Sequence, residues 1–269
     1  MDIIKVIILG IVQGLTEFLP VSSSGHLVIA AEFLNFHEEG VAFEVFVHLG
    51  TLFSVLIVFR KDIIKMILAP FRVLTNAPNG IEYREYILWD YCIIIGTIPA
   101  AVIGLLLKSE IESAFSSIIL VIVMLVVTGT ILLFSKYAIQ KNENLTISKS
   151  FLIGIAQAFA ILPGISRSGS TIVAGIFLGI NREKAARFSF ILAIPAILGA
   201  AVIKINDLFS TGNPQIPTSY LLIGAFASLI SGYLAIVWLL NIVKRGKLEW
   251  FAYYCYFIAT LSFIGYVTL

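Results

Sequence analysis

Two stretches decide the fold: Gln13–His26 reads QGLTEFLPVSSSGH, and Gln157–Thr171 reads QAFAILPGISRSGST. Each is a polar, Ser-rich break inside an otherwise apolar segment. A shift of 144 residues lays Gly10, Ile11, Gln13, Ser22, Ser24, Gly25 and Ala30 on Gly154, Ile155, Gln157, Ser166, Ser168, Gly169 and Ala174 without a gap. A second, weaker echo sets Gly96 and Gly104 against Gly224 and Gly232 at a different offset. Self-similarity of this kind marks a duplication. The halves run approximately over 1–140 and 145–269 of a single integral membrane domain, each a broken segment followed by three apolar runs.

The solvent for this chain is lipid. Of its 269 residues 59% are hydrophobic and 13% charged, with a mean hydropathy of +1.00, whereas soluble domains carry about 25% charged residues. A helical span needs roughly 20 apolar residues. Six runs meet that: Val41–Phe59, Ile87–Leu107, Ser117–Phe134, Phe188–Ile203, Tyr220–Leu240 and Trp250–Leu269. Pro99 and Pro195 should kink two of them, which a bundle tolerates. Ile3–Leu19 resembles a signal peptide only superficially, because Glu17 interrupts it and no small-residue cleavage pattern follows. Cys92 and Cys255 lie in apolar runs and read as small core residues, with no disulfide framework or zinc spacing. A net charge of +2 gives no reason to expect a nucleic-acid partner.

The arms of the broken segments are too short to cross. Ser150–Leu162 has 13 residues and Thr171–Ile180 has 10, so each reaches only about 15–20 Å at roughly 1.5 Å per residue. Either each break is the tip of a re-entrant hairpin, or one broken helix crosses the membrane. Charge separates these. With hairpins, one face collects Arg60, Lys61, Lys65, Arg72 and Arg84, then Lys136, Lys141 and Lys149, then Arg182, Lys184 and Arg187, then Lys244, Arg245 and Lys247; the other keeps Lys5, Lys108 and Lys204. That is fourteen against three, whereas crossing segments give ten against seven. Cytoplasmic loops are enriched in Lys and Arg, so the hairpin model is preferred and both termini are expected outside the cytoplasm. Three crossings per half then make the halves inverted repeats. The expected fold is an all-α polytopic membrane protein with six spans and two re-entrant hairpins whose tips meet near the midplane.

Each tip restarts a helix: Ser22, Ser23, Ser24 and Gly25 lead into His26, and Ser166, Ser168, Gly169 and Ser170 lead into Thr171. Ser and Gly cap helix N-termini, and two such termini aimed at one place form an anion site. Arg167 adds a planar fork suited to phosphate oxygens. Ser22, Ser24, Gly25, Ser166, Ser168, Gly169 and Thr171 are the candidate phosphate-binding residues. Glu17 ends the inward arm of the first hairpin, with Gln13 one turn earlier on the same face. A carboxylate, an imidazole, hydroxyls and an Arg together can support phosphoryl transfer to a nucleophile and then to water. The candidate catalytic residues are therefore Glu17, Ser23, His26 and Arg167.

Each has a plainer explanation. Glu17 and Arg167 could be a structural pair, although intramembrane charge is costly and usually functional. His26 could be a satisfied core histidine, the serines mere caps, and Gln13 a packing amide. Glu44 and His48 form an i, i+4 pair that reads more readily as interface solvation than as part of a cavity. Arg60 and Lys61 read as interfacial anchors.

Gln13–Glu17 running into Ser22–His26, and PGISRSGST at 163–171, resemble the undecaprenyl-diphosphate phosphatase family associated with bacitracin resistance. The resemblance extends to chain length, span count and motif spacing. It implies hydrolysis of undecaprenyl diphosphate to undecaprenyl phosphate and phosphate, recycling the lipid carrier for peptidoglycan synthesis in the bacterial plasma membrane. It also implies a divalent cation, Mg2+ or Ca2+, at the acidic segment, with Glu17 and Gln13 as ligands; Gln at position 13 removes one carboxylate. Ser23 is the preferred nucleophile with Glu17 as base or metal ligand, and His26 is the rival nucleophile. Lipid substrate and membrane lipid are the expected partners, with self-association left open. The competing function is a polyprenyl-phosphate flippase or transporter using the same midplane anion site, which needs no nucleophile.

Overall fold

The computed structural model describes residues 3–34, 36, 42–75, 80–139, 141–211 and 217–268. Val41 and Leu269, at the ends of two expected spans, lie outside them. The described residues form α-helices α1 (Ile3–Phe18), α2 (Ser23–Phe33), α3 (Ala42–Val58), α4 (Arg60–Leu74), α5 (Gly80–Leu106), α6 (Lys108–Phe115), α7 (Ile118–Phe134), α8 (Ile147–Phe159), α9 (Arg167–Phe177), α10 (Arg182–Thr211), α11 (Thr218–Lys244) and α12 (Glu249–Thr268). Among the described residues, five stretches are long and apolar enough to cross a membrane: Tyr83–Leu106, Ile118–Tyr137, Arg182–Lys204, Thr218–Lys244 and Glu249–Thr268. α3 has 17 residues and qualifies as a sixth only together with α4, which bends away by 76°. The chain is thus an all-helical, multi-pass membrane protein.

α4 was not foreseen as a helix. Its first residues are Arg60 and Lys61, and its exposed residues include Ile64, Ile67, Leu68 and Phe71, the composition of a helix lying along an interface. The fourth expected span, Phe188–Ile203, sits within the longer α10, whose charged first turn also belongs to the helix.

The helices pack through small residues rather than through an apolar stripe, since lipid offers no hydrophobic drive between helices. α1 turns Ile4, Ile7, Ile8, Ile11 and Leu15 outward and buries Gly10, Gln13, Gly14 and Glu17. It runs along α11, where a Cβ on Gly10 would lie 3.2 Å from the Gly224 carbonyl carbon. α8 runs along α5 in the same way, with a Cβ on Gly154 lying 3.0 Å from Gly96 Cα and closer still to its carbonyl oxygen. α7 packs on α12, where a Cβ on Gly129 would lie 3.1 Å from the Ala252 carbonyl oxygen. The main core gathers around Phe18, Phe59 and Phe190, whose rings lie 5.7 and 5.9 Å apart across the middle ring of Phe190.

α1 and α2 fold back on each other, so that Leu27, Ala30 and Leu34 of the returning arm pack in one cluster with Val6 and Leu9 of the outgoing arm. α8 and α9 do the same, and here the ends are joined. Glu143 N–H donates to the Gly179 carbonyl at 2.9 Å, and Asn181 Nδ2 donates to Asn142 Oδ1 at 3.1 Å. The chain leaves the second hairpin where it entered.

Candidate active site at the hairpin tips

The two tips touch. A Cβ on Gly169 would lie 3.2 Å from Pro20 Cβ, and one on Gly25 would lie 3.7 Å from Gly164 Cα. Ser168 Oγ donates to the Leu19 carbonyl at 3.2 Å. Both tips are capped alike: the Ser22 hydroxyl accepts from Gly25 N–H at 3.5 Å, and the Ser166 hydroxyl accepts from Gly169 N–H at 3.1 Å. Each cap also contacts the serine two residues on, Ser24 at 3.3 Å and Ser168 at 3.2 Å. Ser22 adopts φ 72°, a left-handed conformation that costs a non-Gly residue about 1–3 kcal/mol and gathers at functional sites.

A helix of the other half holds each tip from behind. Thr128 on α7 donates to the Gly164 carbonyl at 2.8 Å and accepts from Ser166 N–H at 3.0 Å. Cys255 on α12 approaches the Pro20 carbonyl with its thiol at 3.9 Å. Neither was singled out from the sequence, because a hydroxyl and a thiol in apolar spans read as packing.

Glu17 is the hub. It is buried, 8% exposed, and both carboxylate oxygens are engaged. Oε1 accepts from Arg167 Nη2 at 2.7 Å. Oε2 accepts from Ser23 Oγ at 2.6 Å and Gln13 Nε2 at 3.0 Å. His48 Nε2 lies 3.8 Å from that same oxygen. The candidates Glu17, Ser23, Gln13 and Arg167 are therefore in direct contact. Thr171 sits one turn deeper on α9, its hydroxyl 2.8 Å from the Arg167 carbonyl and 2.6 Å from Ser189.

His26 is placed beside the hub and held from both sides. Its Nδ1 donates to the Ser22 carbonyl at 2.8 Å, which leaves Nε2 as the acceptor of a neutral ring. Nε2 lies 2.9 Å from the Tyr254 hydroxyl, and the two rings stack at 5.5 Å. Tyr254 was missed; among ten tyrosines nothing marks it. For His48, read from the sequence as paired with Glu44 at an interface more readily than as part of a cavity, the structure favours the cavity. The imidazole Nδ1 does bond the Glu44 carbonyl, at 2.7 Å, but the Glu44 carboxylate instead pairs with Lys204 at 2.5 Å and the His48 ring faces Glu17.

Two buried polar atoms here lack a protein partner: Gln13 Oε1 and Arg167 Nη1. One is an acceptor and one a donor, both on side chains that touch Glu17. Gln13 Oε1 and a Glu17 carboxylate oxygen are hard donors of the type that would fit Mg2+ or Ca2+. Among the described residues no three His, Cys, Asp or Glu side chains converge, so such an ion would share its shell with the substrate.

The geometry amounts to a hydroxyl on a carboxylate, an Arg with a free donor, and two helix N-termini. That is an arrangement for moving a phosphoryl group. Known proteins agree with this reading. A protein called undecaprenyl-diphosphatase in Methanobrevibacter smithii is 46% identical over 281 aligned positions, covering 100% of this chain and 99% of its own length. Proteins of the same name in Desulforapulum autotrophicum and Halothermothrix orenii are 42% and 41% identical, each over 98% of this chain and 99% and 98% of their own. Residues 6–261 match the family described as "Bacitracin resistance protein BacA", and the chain belongs to that family.

Proposed function

We propose that this chain hydrolyses undecaprenyl diphosphate to undecaprenyl phosphate and inorganic phosphate at the meeting point of its two hairpins. It is a membrane phosphatase acting on an acid anhydride, and its product returns the lipid carrier to cell-wall synthesis, with bacitracin resistance as the consequence. The observation that carries the chemistry is the Ser23 hydroxyl, 2.6 Å from Glu17 Oε2.

Ser23 Oγ attacks the terminal phosphorus as its proton passes to Glu17 Oε2. The bond from that phosphorus to the bridging oxygen breaks, and undecaprenyl phosphate leaves. Water then attacks the phosphoserine, the phosphorus–Oγ bond breaks, Oγ takes back the proton held on Glu17 Oε2, and inorganic phosphate departs with the oxygen and protons of the water. Arg167 holds Glu17 with Nη2 and offers Nη1 to the phosphates. Ser22, Ser24 and Gly25 and their counterparts Ser166, Ser168 and Gly169 present the helix N-termini to the same charge. A divalent cation held by Gln13 Oε1 and Glu17 would neutralise phosphate charge when bound. His26 supports the first tip, and its Nε2 contact with Tyr254 argues for Ser23 over His26 as nucleophile.

The inverted-repeat arrangement belongs to this proposal, with both termini outside the cytoplasm. Three observations support it. The first arm of each hairpin lies along the second long span of the other half, through Gly10 on Gly224 and Gly154 on Gly96. Each tip carbonyl is held by the third span of the opposite half, Gly164 by Thr128 and Pro20 by Cys255. The second hairpin closes on itself at Glu143 and Gly179.

The test is phosphate release from a polyprenyl diphosphate by the purified chain in detergent, with and without Mg2+ or Ca2+. Release that disappears in Glu17→Ala supports the proposal. No release by the intact chain under any metal condition overturns it. A flippase has no use for a hydroxyl poised on a carboxylate, and Ser23 therefore favours the enzyme.

A further inference from the structure

A groove of about 610 Å³ lies between α1, α11 and α12, within the roughly 300–1,000 Å³ range of ligand pockets. Leu15 of α1, Leu19 just beyond it, Trp238 of α11 and Trp250 of α12 line it. Its inner end is Tyr254, the residue whose hydroxyl meets His26 Nε2 at 2.9 Å. Its outer lip carries Arg245 and Lys247, both exposed.

That lip is unusually cationic. Lys244 is matched by Glu183 at 3.0 Å, but among the described residues no carboxylate pairs with Arg245 or Lys247. The turn between α11 and α12 runs through Gly246 at φ 70°, and a Cβ there would strike the Arg182 guanidinium, so a third cation lies against the same turn. Isolated cations at a membrane face are ordinary anchors. Unmatched cations at the mouth of an apolar, aromatic-walled groove complement a molecule with an anionic head and an apolar chain.

We propose that this groove is a second lipid site, which takes a polyprenyl monophosphate with its phosphate on Arg245 and Lys247 and its chain along Trp238 and Trp250 towards Tyr254. The charge fixes the head end. The inner end selects the lipid, because the groove terminates on the residue that holds His26, beside the place where such a lipid is released. The choice of occupant therefore rests on the phosphatase reading given above, while binding can be measured apart from turnover. Occupancy would bear on Tyr254 and hence on His26, giving the product a means of acting on the site that makes it.

The test titrates farnesyl monophosphate into the full-length chain in detergent and follows tryptophan emission. Trp238 and Trp250 line the groove, and Trp89 is buried against Phe188 elsewhere. An Arg167→Ala background weakens binding at the hairpin tips. The expected result is a saturable change in that background, weakened about tenfold or more when Arg245→Gln and Lys247→Gln are added, with no such change from inorganic phosphate or from phosphatidylglycerol micelles. Trp238→Ala should also weaken it, which guards against misfolding of any one variant. Unchanged affinity in the Arg245→Gln/Lys247→Gln protein overturns the proposal, as does an equal response to phosphatidylglycerol. Phosphate release by the intact chain is measured alongside: charge-dependent binding without release would defeat the enzyme reading and leave the groove standing.

Discussion

Glu17 and Arg167 lie 150 residues apart and meet at 2.7 Å, the one carboxylate and the one guanidinium at the touching tips of the two hairpins. Each hairpin brings one member, so the site exists only when both halves are folded against each other. The pair is neutral as a unit, which allows it to be buried. It also keeps one donor, Arg167 Nη1, without a partner and ready for an anion.

Removing one member should cost stability as well as activity. Breaking a buried pair by deleting one partner typically costs about 3–5 kcal/mol. Arg167→Ala is therefore expected to lower the thermal midpoint in detergent and to reduce kcat by about 10²–10³-fold, the range for losing one electrostatic donor. Arg167→Lys should recover part of the stability and little of the rate, since an ammonium cannot hold Glu17 and a phosphate with one planar fork. Full activity in Arg167→Lys would mean that charge alone is needed.

The nucleophile can be read from the chemistry of a trapped intermediate. Ser23 touches the carboxylate and His26 Nε2 is turned to Tyr254. Rapid acid quench with terminally labelled substrate should leave label in an acid-stable phosphoserine on the fragment containing Ser23. Ser23→Ala should lose this label and at least about 10²-fold in rate, whereas His26→Gln should retain it. Acid-labile label, kept in Ser23→Ala, would assign the role to His26.

Much of the site was legible because charge and Ser-rich breaks are conspicuous in lipid-soluble sequence. Gln13, Glu17, Ser23 and Arg167 stood out for that reason and converge. His48 was noticed but read chiefly as an interfacial pair with Glu44, and Tyr254 is one of ten tyrosines; only the fold turns one ring to Glu17 and the other to His26. The Gly96–Gly224 echo looked weak because its offset differs from that of the tips. The offset falls from 144 to 128 residues, and the first half carries α4, a helix of 15 residues, between its first and second long helices. On the repeat proposed above, an amphipathic insertion of that length accounts for the changed offset.

His48 should matter to rate more than to fold. Its Nδ1 donates to the Glu44 carbonyl, and its Nε2 lies 3.8 Å from the carboxylate oxygen that accepts from Ser23. His48→Ala leaves that oxygen one neighbour fewer without creating a buried unpaired charge. The expected outcome is a fall in kcat with little change in thermal midpoint. A change in KM alone would place His48 in substrate binding.

Close helix approach predicts a contrast between two glycines. A Cβ on Gly154 meets the Gly96 backbone, while one on Gly199 meets nothing within 4 Å. Gly154→Ala should lower the thermal midpoint and, because α8 carries the second tip, reduce phosphate release. Gly199→Ala should leave activity intact and add up to about 1 kcal/mol from helix propensity. Equal behaviour of the two variants would remove the close α8–α5 contact from the account.

Inverted topology predicts opposite labelling of two exposed positions. Lys141 precedes the second hairpin, and Glu112 lies on α6 between the second and third long helices of the first half; their side chains are 62% and 64% exposed. Lys141 is a better site than its neighbour Asn142, which holds Asn181 and sits at φ 53°. Both native cysteines are buried, so a single introduced thiol reports cleanly. Lys141→Cys should react with a membrane-impermeant maleimide only after the membrane is opened, and Glu112→Cys should react in intact cells. The second hairpin closes at Glu143 and Gly179, so the side that carries Lys141 is the side from which Arg167 enters. Labelling of both positions from one side would remove the inversion, and Glu17 and Arg167 would then have to reach each other from the same face.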